Sequence, residues 1–440
     1  MTRARLTAAA AGLAALLLTG RASASPEDIF GYGPRGPAMG GVGTTTASGF
    51  EAVYANPALL AAIRRNKLTL GFLGAAYALD ARGAGLPGRV GAERARGATV
   101  GIDIPIPLGG QLKDRVGAGF AFYTPTDIIV RGRLLYPEKP QFPLLPDRTQ
   151  SLTLRGGIGV DPGHGVKVGV GFAALAEIVG SVVVATDASG RVGTRVENQL
   201  VATYAPALGA TWDLPVKEPI RVGVSYRGRL DARFAVSIDG RRLSSLQIPV
   251  FNIAGLAQFD PEQLSIEASW HRSPSVLALG VTIKRWSQYP GPIEPTLPCP
   301  ADEPECGSLV PAKVDYANTL VVHVGGERRV PLGKTTTLAL RLGARYEPSP
   351  LPDNLPGSEA FSASKKGRVV VPTRYFDADR AIASAGFGVA FRGAFPCDVD
   401  AFGQYHHLVP RSVRSDGDTP SDGEVSGRVS VFGMLVGVSF

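Results

Sequence analysis

The sequence predicts an all-β protein: a transmembrane antiparallel β-barrel of about 14 strands with an N-terminal plug in its lumen. Three observations support this fold class. Apolar residues alternate with small or polar ones along many segments, the connections between these segments alternate between short and long, and the chain ends on a strongly two-faced strand. In that last strand, residues 427–440, one face carries the large apolar residues Phe432, Met434, Val436, Val438 and Phe440.

The N-terminus has the pattern of a secretory leader. Arg3 and Arg5 precede an apolar stretch at residues 6–18, and Ala22-Ser-Ala24 is a small-residue cleavage pattern. The alternative is a membrane anchor, but the stretch is shorter than the ~20 residues that a spanning helix needs. We therefore expect residues 1–24 to be a cleaved signal peptide.

The composition of the rest of the chain predicts that it crosses a membrane as β-strands. No later apolar stretch is long enough for a spanning helix, so only closed strands satisfy the backbone in lipid. The 55 glycines recur inside apparent strands, which is suited to a crowded lumen. The net charge of +8 includes arginines of the leader and favours contact with outer-membrane lipid and lipopolysaccharide. Export and this modest charge exclude nucleic acid as a partner.

The segment 337–346 shows the clearest two-faced pattern. Leu340 and Leu342 share one face, whereas Ala339, Arg341 and Arg345 share the other. Arginine is costly against lipid, so the second face must line a polar lumen. Residues 221–230 and 264–271 divide in the same way, with Val222, Val224, Tyr226 and Leu230 assigned to the outer face of the first segment.

The alternation of short and long connections distinguishes a barrel from a soluble β-sandwich. In a sandwich, nothing requires short and long connections to alternate along the chain. Short connections alternate with long ones such as 233–262, 290–313 and 348–378, as in barrels with short periplasmic turns and long extracellular loops. We predict strands near 67–80, 96–106, 115–125, 148–160, 165–178, 198–213, 219–232, 263–272, 275–289, 314–328, 334–347, 379–392, 396–408 and 427–440. The domains predicted are the signal 1–24, a plug 25–66 and a barrel 67–440.

The chain has three cysteines. Cys299 and Cys306 flank a Pro-rich acidic stretch in a long loop, and in an exported protein we expect them to form a local disulfide. Too few other ligands surround them to favour a metal clip. The state of Cys397 stays open. No motif indicates a cofactor or a metal site, because the neighbouring His406 and His407 would point to opposite faces of a strand.

The N-terminal segment resembles the hatch of the FadL-type long-chain fatty acid transporters of the bacterial outer membrane. A Gly-rich run with Gly40, Gly41 and Gly43 leads to Tyr54-Ala-Asn56-Pro57-Ala58, where the family has Tyr-Asn-Pro-Ala-Gly. Here an Ala separates the Tyr from the Asn, and Leu59 replaces the last Gly. The residues expected to form the plug and gate are Gly40, Gly41, Gly43, Tyr54, Asn56, Pro57 and Ala58.

Later matches occur in the family's order. Gly223-Val-Ser-Tyr-Arg227, Arg285-Trp-Ser-Gln288 and Gly343-Ala-Arg-Tyr-Glu-Pro resemble its strands. The resemblance implies passive uptake of long-chain fatty acids or other hydrophobic compounds by a monomer with no cofactor. It also implies that the barrel-assembly machinery recognises the last strand, which ends in Phe440.

Two features of the family have candidate counterparts in the barrel wall. The family has a kink in its third strand, for which Gly117 and Gly119 are candidate bend points here; equally, these glycines relieve crowding. Three lumen arginines, Arg227, Arg341 and Arg345, are candidates for a ligand carboxylate. The alternative, which we favour, is that they pair with Glu267, Glu327 and the plug backbone.

Two other functions remain to be weighed. The first is a non-transporting structural or surface-interaction barrel whose loops bind a partner. The second is an outer-membrane enzyme acting on lipids, for which Ser269 and His271 share a strand face, although no orienting acid is evident. We expect no catalysis.

Overall fold

The protein is described here by a computed structural model. The structure describes residues 26–126, 137–145, 152–186, 192–242, 251–292, 310–362 and 367–440. The predicted signal peptide and the predicted Cys299/Cys306 disulfide lie outside these residues. Within them, no helix is long and apolar enough to cross a membrane.

Helices occur in the N-terminal segment. They are α1 Pro26–Phe30, α2 Arg35–Ala38, α3 Ala52–Ala55 and the 3₁₀ helices Gly49–Glu51 and Pro57–Ala62. Two further 3₁₀ turns, Gly110–Leu112 and Trp286–Gln288, lie between strands.

Strands make up most of the remainder. They are β1 Lys67–Gly83, β2 Gly88–Val90, β3 Ala95–Pro105, β4 Val116–Pro125, β5 Thr153–Gly163, β6 Val166–Thr186, β7 Val192–Asp213, β8 Ile220–Arg227, β9 Leu230–Arg242, β10 Phe251–Asp260, β11 Gln263–Arg272, β12 Ser275–Lys284, β13 Thr319–Pro331, β14 Thr336–Glu347, β15 Asn354–Leu355, β16 Ser358–Ser362, β17 Gly367–Val371, β18 Arg380–Phe391, β19 Cys397–Ser415 and β20 Ser421–Ser439.

The strands close into an antiparallel barrel of 14 strands, as predicted. Consecutive wall strands pair with each other, and β20 returns to pair with β1 from Lys67↔Ser439 to Gly83↔Gly423. Two of the wall strands are interrupted. One consists of β8 and β9, the other of β10 and β11. We call the two ends of the barrel the turn end, with short connections, and the loop end, with long ones.

The two faces of the wall follow the predicted alternation. Leu340 is 49% exposed and Leu342 68%, whereas Ala339 is 8% exposed and Arg341 9%. The apolar residues of the last strand are likewise exposed on the outside. One assignment is wrong: Leu230 is buried rather than outward, because β8 ends at Arg227 and the two-residue period does not continue through Gly228 and Arg229.

At the loop end, the strands extend further than the sequence predicts. β6, β7, β19 and β20 continue beyond the predicted boundaries, and the predicted loop 233–262 contains most of β9 and all of β10. The sequence of these extensions, such as Ser181-Val-Val-Val-Ala-Thr186 in β6 and Ser421-Asp-Gly-Glu424 in β20, lacks the strict alternation of the membrane-facing part, and the predicted boundaries therefore stop short of them.

Aromatic side chains form a compact cluster inside the loop end. The Phe259 ring stacks on Trp286 with centroids 5.3 Å apart and meets Tyr289 edge-on at 4.4 Å. Tyr289 in turn meets Tyr316 at 4.6 Å. Such edge-to-face contacts add to the stability that burial of the rings already provides. The loop end of the barrel is therefore capped by packed side chains.

Candidate functional site

The N-terminal segment, residues 26–66, packs against the inner wall of the barrel. Asn56 in this segment is completely buried. Its side-chain oxygen accepts a hydrogen bond from Ala58 N (3.0 Å), which caps the 3₁₀ helix that begins at Pro57. Its amide nitrogen donates to Thr44 O at 2.7 Å and to Ala210 O and Val224 O on two wall strands. One side chain therefore joins two parts of the segment to the wall.

Wall glycines make room for the turn at Asn56-Pro57. A Cβ atom on Gly209 would lie 1.8 Å from the Asn56 side-chain oxygen, and one on Gly169 would lie 2.3 Å from the Pro57 carbonyl carbon. Neither distance is possible for real atoms, so any side chain at either position would displace the segment. The abundance of glycine in this part of the wall follows from backbone lying against backbone.

Gly117 and Gly119, the candidate bend points, serve the same purpose. Cβ atoms there would lie 2.3 Å from Leu60 O and 2.7 Å from Leu60 Cδ2, respectively. β4 pairs with β3 and β5 without any register shift. The described ladder thus has no bulge at these glycines, and their observed role is to accommodate the 3₁₀ helix.

The carboxylate of Glu267 holds the Gly-rich run. Gly43 N, Thr44 N and Thr45 N donate to it at 2.8, 3.1 and 2.9 Å, and the Thr45 hydroxyl donates at 2.5 Å. Successive backbone N–H groups converging on one anion form a nest, and bonds to an ionised acceptor are stronger than neutral ones. Glu267 on β11 therefore fixes the course of the chain around Gly43.

Gly40 brings the segment into contact with the opposite wall. It has a φ of +71°, and a Cβ there would lie 2.7 Å from Ala344 N and from Val324 O. Only glycine satisfies both the left-handed backbone and this approach. Gly40 N also donates to the Ser384 hydroxyl at 2.8 Å. Gly41, with a φ of +90°, completes the turn.

A network of buried charges anchors α2. Glu327 accepts bonds from Arg35 at 3.0 and 3.1 Å and from Arg341 at 2.8 Å, and Arg341 also bonds Asp400 at 2.5 Å. Arg35 belongs to the segment, while the other three belong to the wall. Arg341, a candidate for a ligand carboxylate, is therefore occupied by wall acids, as the favoured alternative expects.

The other two candidate arginines contact the segment backbone. Arg345 donates to Ile29 O at 2.6 Å, and Arg227 donates to Tyr54 O at 2.9 Å. The Tyr54 ring lies between two guanidinium groups, 4.1 Å from Arg227 and 4.9 Å from Arg155. Cation–π contacts of this kind stabilise an aromatic ring within a charged lumen. Tyr54 therefore bridges the segment to two distant strands.

A polar vestibule opens at the turn end, beneath the segment. Its volume is about 650 Å³, and its lining includes Lys67, Arg329, Arg392, Asp103 and Asp398. By contrast, the cavity beside Tyr54 at the centre of the lumen holds only about 60 Å³. The described lumen is therefore blocked between its two ends, and passage requires the segment or the wall to move.

Three other sequence features have defined places. Ser269 Oγ lies 2.8 Å from His271 Nε2, but no described carboxylate bonds the other nitrogen of that ring, so a complete triad is absent from the described residues. His406 is buried and His407 exposed, on opposite faces as expected. Cys397 is a free thiol at the start of β19.

Glu51 gives the segment a predicted pH dependence. Burial raises the pKa of its carboxyl from 4.5 to about 7, although Arg35 N donates to it at 2.9 Å. The folded protein then keeps the proton to a higher pH than the unfolded chain. Stability should therefore fall as pH rises from about 4.5 to above 7, by up to about 3 kcal/mol. The midpoint of thermal unfolding in detergent at pH 5 and pH 8 measures this difference.

The variant Glu51→Gln is the control for this pH dependence. Its amide keeps an acceptor oxygen for Arg35 N but does not titrate. We expect the difference between pH 5 and pH 8 to shrink in this variant. An unchanged difference would assign the pH dependence to other groups.

The comparisons with known proteins concern the fold. No family model and no curated protein matches the sequence. The crystal structure of a Pseudomonas aeruginosa FadL homologue matches with a TM-score of 0.56 and 16% identity, over 92% of this chain and 97% of that chain. The P. putida toluene transporter TodX matches with a TM-score of 0.51 and 13% identity, over 94% and 99%. The chain therefore has the FadL-type barrel fold, which confirms the predicted resemblance at the level of fold.

Proposed function

We propose that the protein is an outer-membrane channel for passive uptake of long-chain fatty acids or other hydrophobic compounds, with residues 25–66 as its plug. The observation that supports this most is the combination of a FadL-type barrel with an N-terminal segment that fills the lumen and bonds to the wall around its circumference. The solved neighbours include a toluene transporter, so small aromatic compounds belong with fatty acids among the candidates.

The composition of the wall supports a membrane location. Large apolar side chains encircle the outside of the barrel, among them Phe72, Ile158, Leu279 and Phe432. Ionised groups face the lumen, where they pair with each other or with the segment. A barrel in water would have the opposite arrangement. We propose further that the barrel-assembly machinery recognises the last strand, which ends in Phe440.

We propose that the site residues gate the lumen and do not bind the ligand. Asn56, Glu267 and Glu327 hold the plug at three places on the wall, and the cavity beside Tyr54 is small. A weakly bound apolar ligand would pass only when some of these contacts open. Such gating motions commonly limit the rate of passage.

Uptake of a labelled long-chain fatty acid tests the proposal. Cells lacking their own transporter of this class would be given the protein, and uptake would be compared with that of labelled toluene and of a small polar solute. We expect uptake of one or both hydrophobic compounds and exclusion of the polar solute. Equal rates with and without the protein would favour the alternative, a structural or surface-interaction barrel.

The membrane location predicts unequal effects of arginine on the two faces of β14. Leu340→Arg should cost up to about 2 to 4 kcal/mol, the range for arginine at the bilayer midplane, because it places a charge against lipid. Ala339→Arg is the matched control on the neighbouring residue and the opposite face, where the cost arises from crowding and from repulsion by Arg329, which lies directly opposite on β13. Reversible folding into lipid vesicles measures both, and equal costs would contradict a lipid-facing outer surface.

A further inference from the structure

The vestibule at the turn end has an excess of basic side chains. Its volume of about 650 Å³ is within the range of cavities that hold ligands, and seven basic but only four acidic residues line it. The acids are also shared. Asp398 pairs with both Lys67 and Arg392, and Glu327 of the buried network also accepts a bond from Arg329. The vestibule therefore keeps positive charge that its own acids do not neutralise.

Arg64 and Arg65 contribute to this excess. Both are exposed and lie between the last 3₁₀ helix of the plug and β1. Arg64 donates to two backbone carbonyl groups, Ala61 O at 2.7 Å and Ile63 O at 2.9 Å. In the described part of the chain, no carboxylate pairs with either arginine. Both guanidinium groups are therefore available to a carboxylate, which they can bind through two parallel hydrogen bonds.

Two buried polar atoms in the vestibule lining also lack a partner. Thr69 is 4% exposed and Asp103 6%, yet Thr69 Oγ1 and Asp103 Oδ1 have no hydrogen-bond partner among the described residues. Buried acceptors are normally bonded, so these two atoms indicate that a donor binds there. Asp103 would repel a free anion, whereas the backbone N–H groups of a peptide could donate to it. Acceptors beside an excess of arginine therefore fit an acidic peptide better than a small anion.

Two turns beside the vestibule carry exposed apolar side chains. Phe395 is 85% exposed and lies in the turn between β18 and β19, whose residues Arg392 and Pro396 line the vestibule. Leu332 is 59% exposed in the turn between β13 and β14. A hydrogen bond of 2.8 Å from Arg392 N to Thr335 O joins the two turns. Exposed aromatic side chains next to arginine are typical of protein interfaces.

Membrane lipid does not account for this surface as a whole. Lipid headgroups can reach the outer side of the turns, but the closed wall separates them from the lining of the vestibule. An occupant that contacts both Phe395 and the vestibule arginines must therefore come from the aqueous side.

We propose that the turn end is a docking site for an acidic segment of a soluble periplasmic protein. The segment enters the vestibule against Arg64 and Arg65, while apolar residues of the partner contact Phe395 and Leu332. Complementary charge would steer such a partner to the site and select it over basic proteins. The inference goes beyond the proposed transport function and takes from it only the membrane orientation, in which the turn end faces the periplasm.

Binding of an acidic peptide to the complete protein in phosphatidylcholine nanodiscs tests the docking site. The probe is a fluorescein-labelled octapeptide of six glutamate and two leucine residues, and fluorescence anisotropy measures its binding. Arg64→Gln with Arg65→Gln should weaken binding about tenfold or more, because it removes both unpaired charges. The matched control is Arg368→Gln with Arg414→Gln, which removes two exposed arginines at the loop end. It should change the dissociation constant less than about twofold.

Phe395→Ser tests the apolar part of the site. Because the nanodisc already supplies lipid, a loss of about fivefold in peptide affinity would come from contact with the peptide itself. A peptide with six lysines in place of the glutamates should not bind, and heat resistance in detergent confirms that each variant is folded. The docking site is overturned if the native protein does not bind the acidic peptide or if the two double variants lose affinity equally. Citrate binding as tight as that of the peptide, with no effect of Phe395→Ser, would overturn it in favour of a small-anion site.

Discussion

Removal of residues 26–65 is expected to convert the closed barrel into an open pore. The wall strands pair with each other from β1 around to β20 and need no bond from the segment to close. The lumen, by contrast, is filled by the segment at the level of Asn56, and the aromatic cluster at the loop end would lose the buried segment residues against which it packs. A barrel of this size without its contents encloses an aqueous channel, so conductance should rise about tenfold or more.

Planar bilayer recording of the two proteins measures the rise. Asn56→Ala is the milder companion, because it removes the bonds to Ala210 O and Val224 O but leaves the segment in place. We expect brief openings rather than a permanent pore. Unchanged conductance after the deletion would mean that residues 26–65 are not a plug.

The second large effect is expected from Glu327→Ala. The Glu327 side chain is 1% exposed and pairs with Arg35 and Arg341, each 9% exposed. Removing the carboxylate takes from Arg35 the acid that pairs with its guanidinium and leaves Arg341 with Asp400. Loss of one partner of a buried ion pair typically costs about 3 to 5 kcal/mol. Since Arg35 belongs to the plug, we expect the loss to appear as loosening of the segment, with faster trypsin cleavage at Arg35.

Glu359→Ala provides the matched control. Glu359 pairs with Arg368, but the two side chains are 50% and 64% exposed. Exposed ion pairs contribute about 0 to 1 kcal/mol. Chemical denaturation should therefore separate the two variants clearly. Similar losses in both would show that the Glu327 network does not hold the plug.

The sequence was sufficient for the wall because lipid and lumen impose opposite demands on alternate residues. Leu340 beside Arg341 admits only one orientation in a membrane. The same reasoning failed at Leu230, where the wall strand is interrupted and the next residues pair with β6 instead of β7. Alternation carries information only while the strand stays in the wall.

Most contacts of the site could not be predicted from the sequence. Asn56 bonds backbone carbonyl groups, which every residue possesses, so no residue type marks its partners. Arg35 and Glu327 are 292 residues apart in the chain, and nothing in that spacing indicates that their side chains are in contact. The lumen arginines were predicted to pair with acidic side chains or with the plug backbone, because a buried charge needs a partner. That rule identifies the class of partner but not the individual residue.

The close fit between wall glycines and the N-terminal segment constrains the order in which the protein assembles. Backbone lies against backbone at Gly169, Gly325 and Gly343, with no space for side chains to slide past. A segment that carries Phe50, Tyr54 and Leu60 would have to disturb these contacts to enter a finished wall. We therefore expect it to take its place while the sheet is still open, before β20 pairs with β1 and encloses it. In the complete chain, the wall glycines then favour early docking of the N-terminal segment over late entry.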